Sequence, residues 1–570
     1  MKTKLTVLLI LVMVLSSFGG VSIAQSEDTV NILFWQAASQ MNPYLGTGTK
    51  EFEAAASVLE PLARYNPAGE MVPWLVDEIP TVENGGVSED LTTITWTLSE
   101  GILWSDGSPL TAHDVVFSGE FCLHPETGCT VLSQFDGVES IEALDDSTVK
   151  ITFSGPKPFP YGPFVGFLTP IIQKAQFEDC IGAASLECSE ENFGPIGTGP
   201  YVVEDFRVND VVTYIANPNF REEGKPYFSR QVFKGGGDAE SAARAVLETG
   251  EADYAWNLQI SPAVLNAMEA AGNGTVIAGY ANNVERLMVN QTNPDPMLDA
   301  DTRSVWMEDN GNPHPFLHVP AIWQAMSMAI DRNTIATQLY GAGGVATCNV
   351  ISGPPSVASP NNDACLVQDI DGANALLDEA GIMDSDGDGI REYMGIPLMV
   401  SYQTSTNAVR QNTQALIKQW WSEIGIETEL RNISASVFFG GDVASPDTYA
   451  KFYTDIEMYT NGSNGTDMEP YLGNWRTTEI PGPWNKWGGS NVPRWYSEEF
   501  DALLDEMAAT ASAEGRIALT IQMNDMLVQN GVMIPLVFRA SVSAHANSIS
   551  GVDMNAWDSE LWNIADWTRM

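Results

Sequence analysis

The stretch that most resembles a site for chemistry is Asp384-Ser385-Asp386-Gly387-Asp388-Gly389-Ile390-Arg391-Glu392. Carboxylates at alternating positions, with a glycine after the third, resemble the front of a calcium loop, where hard oxygen ligands close on a divalent cation. The twelfth position of such a loop should be glutamate, and here it is Gly395. Asp384, Asp386, Asp388 and Glu392 are therefore the candidate ligands of a structural calcium, with Glu392 or water standing in for the missing acid. The commoner use of such a stretch, and the preferred reading, is an acidic, glycine-rich turn that holds no ion. No other cofactor is expected.

The six cysteines form three sequence-local couples: Cys122 with Cys129, Cys180 with Cys188, and Cys348 with Cys365. Six cysteines allow many connectivities, and local pairing is the expected one in an oxidising compartment. Zinc is the competing use. It would want a Cys-x-x-Cys step, which is lacking, and the nearby histidine is His124 alone.

Catalytic spacing is not apparent. There is no Gly-x-Ser-x-Gly elbow, His-Glu-x-x-His helix or phosphate loop, and the five histidines stand in no recognisable arrangement. Among 74 acidic residues a pair suited to glycoside hydrolysis always exists by count, but no motif supports one. Sixteen tryptophans are a better hint at binding. Trp475, Trp484, Trp487 and Trp495 sit in loop-like stretches, where indole could stack on a sugar or an apolar side chain; core packing is the commoner use.

The elements that must position these residues alternate between strand and helix. Ile94, Trp96 and Leu98 alternate with threonines, which is strand periodicity. Thr111 with Asp114 reads as a capping box. Tyr201–Phe206 and Val211–Ile215 read as a hairpin around Asn209-Asp210, and 239–249 as a helix stopped by Gly250. A helix is predicted from Pro320 to Tyr340, another through Val409, Thr413, Leu416, Trp420 and Ile424, and a third through Phe500 to Met507. Strand-like runs at 397–402 and 532–538 alternate with them, so the fold class is α/β.

A chain of 570 residues with 44% apolar and 18% charged residues can bury a large core. With 27 Lys+Arg against 74 Asp+Glu, the net charge is -47, which repels nucleic acid and anionic lipid and excludes both as partners. Lys2 and Lys4, the apolar run from Leu5 to Leu15 and Ser22-Ile23-Ala24 read as an export signal, residues 1–24, cleaved before Gln25. No cysteine stands at the cleavage point, so no lipid anchor is expected, and the protein should work in the periplasm or elsewhere outside the cytoplasmic membrane.

Trp104-Ser105-Asp106-Gly107-Ser108-Pro109-Leu110-Thr111-Ala112-His113-Asp114-Val115-Val116-Phe117 closely resembles the signature of family 5 extracellular solute-binding proteins, the dipeptide- and oligopeptide-binding class. Gly197-Thr198-Gly199-Pro200-Tyr201, Asn217-Pro218-Asn219-Phe220, Glu248-Thr249-Gly250-Glu251-Ala252-Asp253, Ala329-Ile330-Asp331-Arg332, Leu376-Leu377-Asp378-Glu379-Ala380-Gly381 and Ile534-Pro535-Leu536 resemble further blocks of that family, in the same order. The resemblance implies a two-lobed periplasmic-binding-protein fold of type II around a ligand cleft and hinge. Lobe I would comprise 25–67, 195–284 and 530–570, with an inserted domain at 68–194, and lobe II would comprise 285–529. It implies the substrate-binding component of an ABC importer, a monomer that captures a small peptide by hinge closure and delivers it to permease subunits in the membrane. An oligosaccharide or another neutral solute is the alternative ligand. A secreted glycoside hydrolase and a sensor-coupled receptor are more distant readings.

Peptide binders of this class hold the ligand's amino terminus with an acid just before an acid-Pro step. Here that step is Glu469-Pro470; the anchoring position holds Thr466, with Asp467 one place later. Either Asp467 serves or the ligand has no free amino terminus. The resemblance also brings Trp35, Trp256 and Asn257 near the cleft, together with Tyr459 and Asn461, and it leaves Trp484 and Trp487 as stacking candidates. Arg494 and Arg539 could pair with a ligand carboxylate, although a structural ion pair is the commoner use of each.

Overall fold

The computed structural model describes residues 28–304, 311–462, 465 and 467–570. The expected export signal and Thr466 lie outside the described residues. No described helix is long and apolar enough to cross a membrane.

The alternating threonine run forms the strand Thr93–Thr97, with Ile94 and Trp96 fully buried. It pairs antiparallel with Thr148–Phe153, which also pairs with Val138–Ala143. The helix Ala112–Leu123 packs beside this small sheet. Its capping box is formed: the Asp114 carboxylate accepts the Thr111 backbone N–H at 2.9 Å, and its other oxygen accepts the Lys174 N–H at 3.0 Å. Trp104 is buried and donates its indole N–H to the same carboxylate at 3.4 Å. The segment that carries the resemblance most closely is therefore a packing device.

Two larger sheets and three two-stranded ones make up the rest of the described sheet structure. One has seven strands in the order Gly274–Gly279, Ser541–Ala546, Tyr254–Ala255, Thr29–Phe34, Arg230–Gly235, Val211–Ala216, Tyr201–Arg207. Thr29–Phe34 runs parallel to both of its neighbours. The other has six strands in the order Gly344–Ala346, Met533–Arg539, Val284–Val289, Ile456–Tyr459, Met399–Ser405, Glu427–Ile433. Its parallel pair Met399–Ser405 and Glu427–Ile433 is joined by the helix Ala408–Ser422, as a parallel connection requires. Asn407 caps that helix by accepting the Arg410 N–H at 3.1 Å, and Gly425, at φ 75°, follows its end.

The chain passes between the two sheets at 280–283 and returns at Ala540. The resemblance implies a return at 530, ten residues earlier. The strand Met533–Arg539 is nearly all buried and pairs with both Val284–Val289 and Gly344–Ala346, so it belongs to the second lobe. The two crossings are tied together: Arg539 donates its backbone N–H to the Asn283 carbonyl at 2.9 Å, and the Asn283 amide donates to Ser541 Oγ at 3.2 Å. The region 68–194 has its own small sheet but no separate core. Trp96, Phe121 and Phe164 belong to the same apolar cluster as Ile32, Phe34 and Tyr254 of the seven-stranded sheet. The second lobe packs around Leu287, Tyr402 and Trp421, and around Met288, Tyr471 and Met523.

The long helix expected from Pro320 to Tyr340 is broken. It spans Pro320–Met328, restarts as Arg332–Ile335 and ends in the π-helical turn Ala336–Tyr340. Asp331 starts the second piece by accepting the Thr334 N–H at 2.9 Å, a local side-chain bond that competes with a continuous helix. Arg332, fully buried, then donates to the carbonyls of Ser327, Pro535 and Cys365.

Cys122 is joined to Cys129, Cys180 to Cys188 and Cys348 to Cys365, so no described cysteine is left for zinc. The last bond has the longest sequence separation, 17 residues, and so restricts the unfolded chain most. Replacing Cys348 and Cys365 together by serine should lower the unfolding free energy by about 3 kcal/mol, read by denaturant titration. An unchanged midpoint would show that the bond adds nothing.

Candidate functional site

A cavity of about 230 Å³ lies between the two larger sheets. The carboxyl ends of strands Tyr254–Ala255 and Ile456–Tyr459 open on it, supplying Trp256 and Asn257 from the first lobe and Thr460 and Asn461 from the second. Ligands of open α/β sheets bind outside such strand ends. Trp256 stacks on Phe34 with ring centroids 4.4 Å apart and planes 5° apart. Asn257 takes φ 55°, a conformation asparagine tolerates. Trp35 is not on the cavity wall; it fixes Asn257 by donating its indole N–H to that residue's carbonyl at 3.0 Å. Behind the opposite wall, Arg286 lies over the Tyr459 ring at 5.6 Å and donates to the Asn461 side chain.

The charged walls matter most. Glu285, fully buried in the strand Val284–Val289, accepts from Arg410 Nη2 at 2.7 Å and from Arg539 Nε at 3.2 Å. Burial alone would raise its pKa, but the two guanidinium groups hold the carboxyl below its ordinary range. Both arginines line the cavity, so two cations share one carboxylate there. Burial lowers the pKa of Arg539 despite the pull of Glu285.

The first lobe supplies acids. Asp558 is paired with Arg64 at 3.1 Å. Glu53, on the helix Thr49–Ala56, accepts from Ser559 Oγ at 2.5 Å and from the Glu560 N–H at 3.1 Å. Glu560 Oε2 accepts from the Tyr254 hydroxyl and from Ser543 Oγ, both at 2.6 Å. Burial pushes the carboxyls of both Glu53 and Glu560 upward, and their mutual repulsion adds to the rise at Glu53.

Several residues singled out in the sequence lie elsewhere. Asp467 is not on the cavity wall; both its oxygens accept from Arg516, at 2.8 and 2.6 Å, and Glu469 accepts from the same guanidinium at 2.8 Å. Arg494 is fully buried and donates to the carbonyls of Lys451, Phe452 and Val492. Its guanidinium therefore closes a loop and cannot reach a ligand. Trp484 is 54% exposed and lines no described cavity. Trp487 lines a separate cavity of about 40 Å³ with the Lys451 ammonium 4.1 Å above its ring. Asp384, Asp386, Asp388 and Glu392 do come together, with one oxygen of each within 4.8 Å of the others. Asp384 gives both oxygens to backbone N–H groups of Gly387 and Gly389, and none of the four lines the cavity. Glu53, Glu285, Arg410 and Glu560 were not singled out in the sequence. The one available signal was a Glu-Arg pair inside the otherwise apolar run Val284–Val289.

Two lobes, two crossings and a polar cavity between them define a binding protein of the periplasmic type. The family model for bacterial extracellular solute-binding proteins, family 5 middle, matches residues 70–482, and the chain belongs to that family. The glutathione-binding protein GsiB of Shigella boydii serotype 4 (strain Sb227) is 23% identical over 473 residues, covering 82% of each chain. The oligopeptide-binding protein AppA of Bacillus subtilis, solved with a nonapeptide, superposes with a TM-score of 0.79 at 18% identity, covering 95% of this chain and 99% of AppA. NikZ of Campylobacter jejuni, solved with Ni(L-His), gives 0.79 at 21% identity over 95% and 100%.

The raised carboxyls set a sign for the pH dependence. Between the ordinary carboxylate range and the raised folded values, the folded chain keeps protons that the unfolded chain has released, so this contribution to stability is complete at low pH and is lost as pH rises. The melting temperature should therefore fall from about pH 5 to about pH 8, and Glu53→Gln should flatten that fall. Equal slopes in the two proteins would rule out a buried protonated pair.

Proposed function

We propose that this protein is the extracytoplasmic substrate-binding component of an ABC importer, which closes its lobes on a short peptide and hands it unchanged to a membrane permease. The observation that carries this reading is the cavity between hinged lobes, with guanidinium groups on one wall and carboxyl groups on the other. Such walls suit a ligand with charges of both signs. Closure buries the solute, and the closed form is what an importer can recognise.

A volume of about 230 Å³ favours a short ligand, since small-molecule sites run from roughly 300 to 1,000 Å³. The names of GsiB and AppA point to peptides, whereas NikZ was solved with a metal–histidine complex, so the fold by itself leaves the ligand open. The tryptophans expected to stack on sugars lend little support to the oligosaccharide alternative: Trp475 is fully buried and Trp484 and Trp487 lie off this cavity. Export through the signal at residues 1–24 and the absence of turnover belong to the same reading.

A thermal-shift screen of the exported protein with di- and tripeptides and with oligosaccharides tests it, with mass spectrometry of the recovered ligand. A peptide at a hundredfold excess over its dissociation constant should add about 2.7 kcal/mol and come back intact. A response to sugars alone would replace the peptide, and a cleaved product would replace the binding protein by an enzyme.

A further inference from the structure

We propose that Glu560 is the subsite for a protonated amine of the solute, facing Arg410 and Arg539 as the subsite for its carboxylate, so that the ligand is a short zwitterion with its positive end on the first lobe. This rests on the peptide reading above and adds a direction and two anchors to it.

Elimination among the acids of the cavity leads to Glu560. Asp558 is already neutralised by Arg64. Glu53 has both oxygens engaged, by Ser559 Oγ and by the Glu560 N–H. Glu560 has one oxygen engaged, Oε2, by Tyr254 and Ser543. Its Oε1 accepts no hydrogen bond among the described residues, and it is not sealed in the core, because the side chain lines the cavity while only 4% exposed. A carboxyl oxygen that opens on a cavity with a free valence can accept a donor from a ligand. An ammonium supplies that donor and the opposite charge.

The opposite subsite follows from charge count. Arg410 and Arg539 share Glu285, which leaves one guanidinium charge unmatched at the cavity wall. A ligand carboxylate balances it. The position usual for the amine, beside the acid-Pro step, is not available, because Asp467 is held by Arg516. The polarity of the bound solute is thereby set from the first lobe.

Before the ligand arrives, Tyr254, Ser543 and Arg539 face Glu560, Glu53 is joined to it through the Glu560 N–H, and burial pushes its carboxyl up to about 7. Arrival of an ammonium favours the carboxylate, so the proton held by Glu560 leaves for solvent and no other covalent bond changes.

The experiment is calorimetric titration with alanyl-leucine and alanyl-phenylalanine and their N-acetyl forms. In the wild type, N-acetylation should weaken binding by about tenfold or more, as expected for loss of a buried charged partner. Glu560→Gln keeps the shape and the Tyr254 and Ser543 bonds; it should weaken the free dipeptides by about tenfold or more and the N-acetyl forms by less than about threefold. Equal losses for both forms, or none, would overturn the assignment. A second readout needs no variant: titration near pH 7 in two buffers of different ionisation enthalpy should show a net proton released per free dipeptide bound and none for the N-acetyl form. Binding that is indifferent to N-acetylation would sink this subsite and leave the peptide reading intact. If no dipeptide or tripeptide bound the wild type at all, both would fail.

Discussion

Glu285 and its two arginines form the interaction on which the rest of the arrangement depends. Glu285 lies just after the first crossing between lobes, Arg539 just before the second, and Arg410 in the first turn of the helix Ala408–Ser422. One buried carboxylate thus ties both crossings to the element that closes the second-lobe wall. A buried pair of this kind gives little net stability, but removing one member would leave an unmatched charge in the core. Its role is to fix geometry, and here it also delivers a surplus positive charge to a cavity whose other wall is acidic.

The lobes differ in how they use their polar groups. In the first, carboxyls gather at the cavity with their pKa values raised by burial, and hydroxyls and backbone N–H groups surround them. In the second, guanidinium groups are abundant: Arg286, Arg332 and Arg494 are fully buried and donate mostly to carbonyls. Such arginines close loops and do not reach a ligand. This explains why a chain with net charge -47 can still present positive charge to its ligand: the acidity is dispersed over the surface, and the cavity is set by a few buried groups.

Much of the local structure was legible in the sequence because its causes are local. The Thr111–Asp114 capping box, the turn at Asn209 and the stop at Gly425 each depend on residues a few positions apart. The cysteine couples, separated by 7, 8 and 17 residues, belong to the same class. The helix expected to run unbroken to Tyr340 was not legible, because periodicity does not reveal that Asp331 will take the Thr334 N–H or that Arg332 will reach Pro535, 203 residues away.

The sequence alone determined the α/β class, the family and the order of the elements, since these follow from periodicity, caps and motif blocks read along the chain. Tertiary structure alone decided which charges gather at the cavity. Glu285 meets Arg410 and Arg539 across 125 and 254 residues, and Tyr254 meets Glu560 across 306. It also withdrew Asp467 and Arg494 from the site by giving each a nearer partner. A charged side chain's role depends on what lies opposite it once water is excluded, and that neighbour is chosen by the fold.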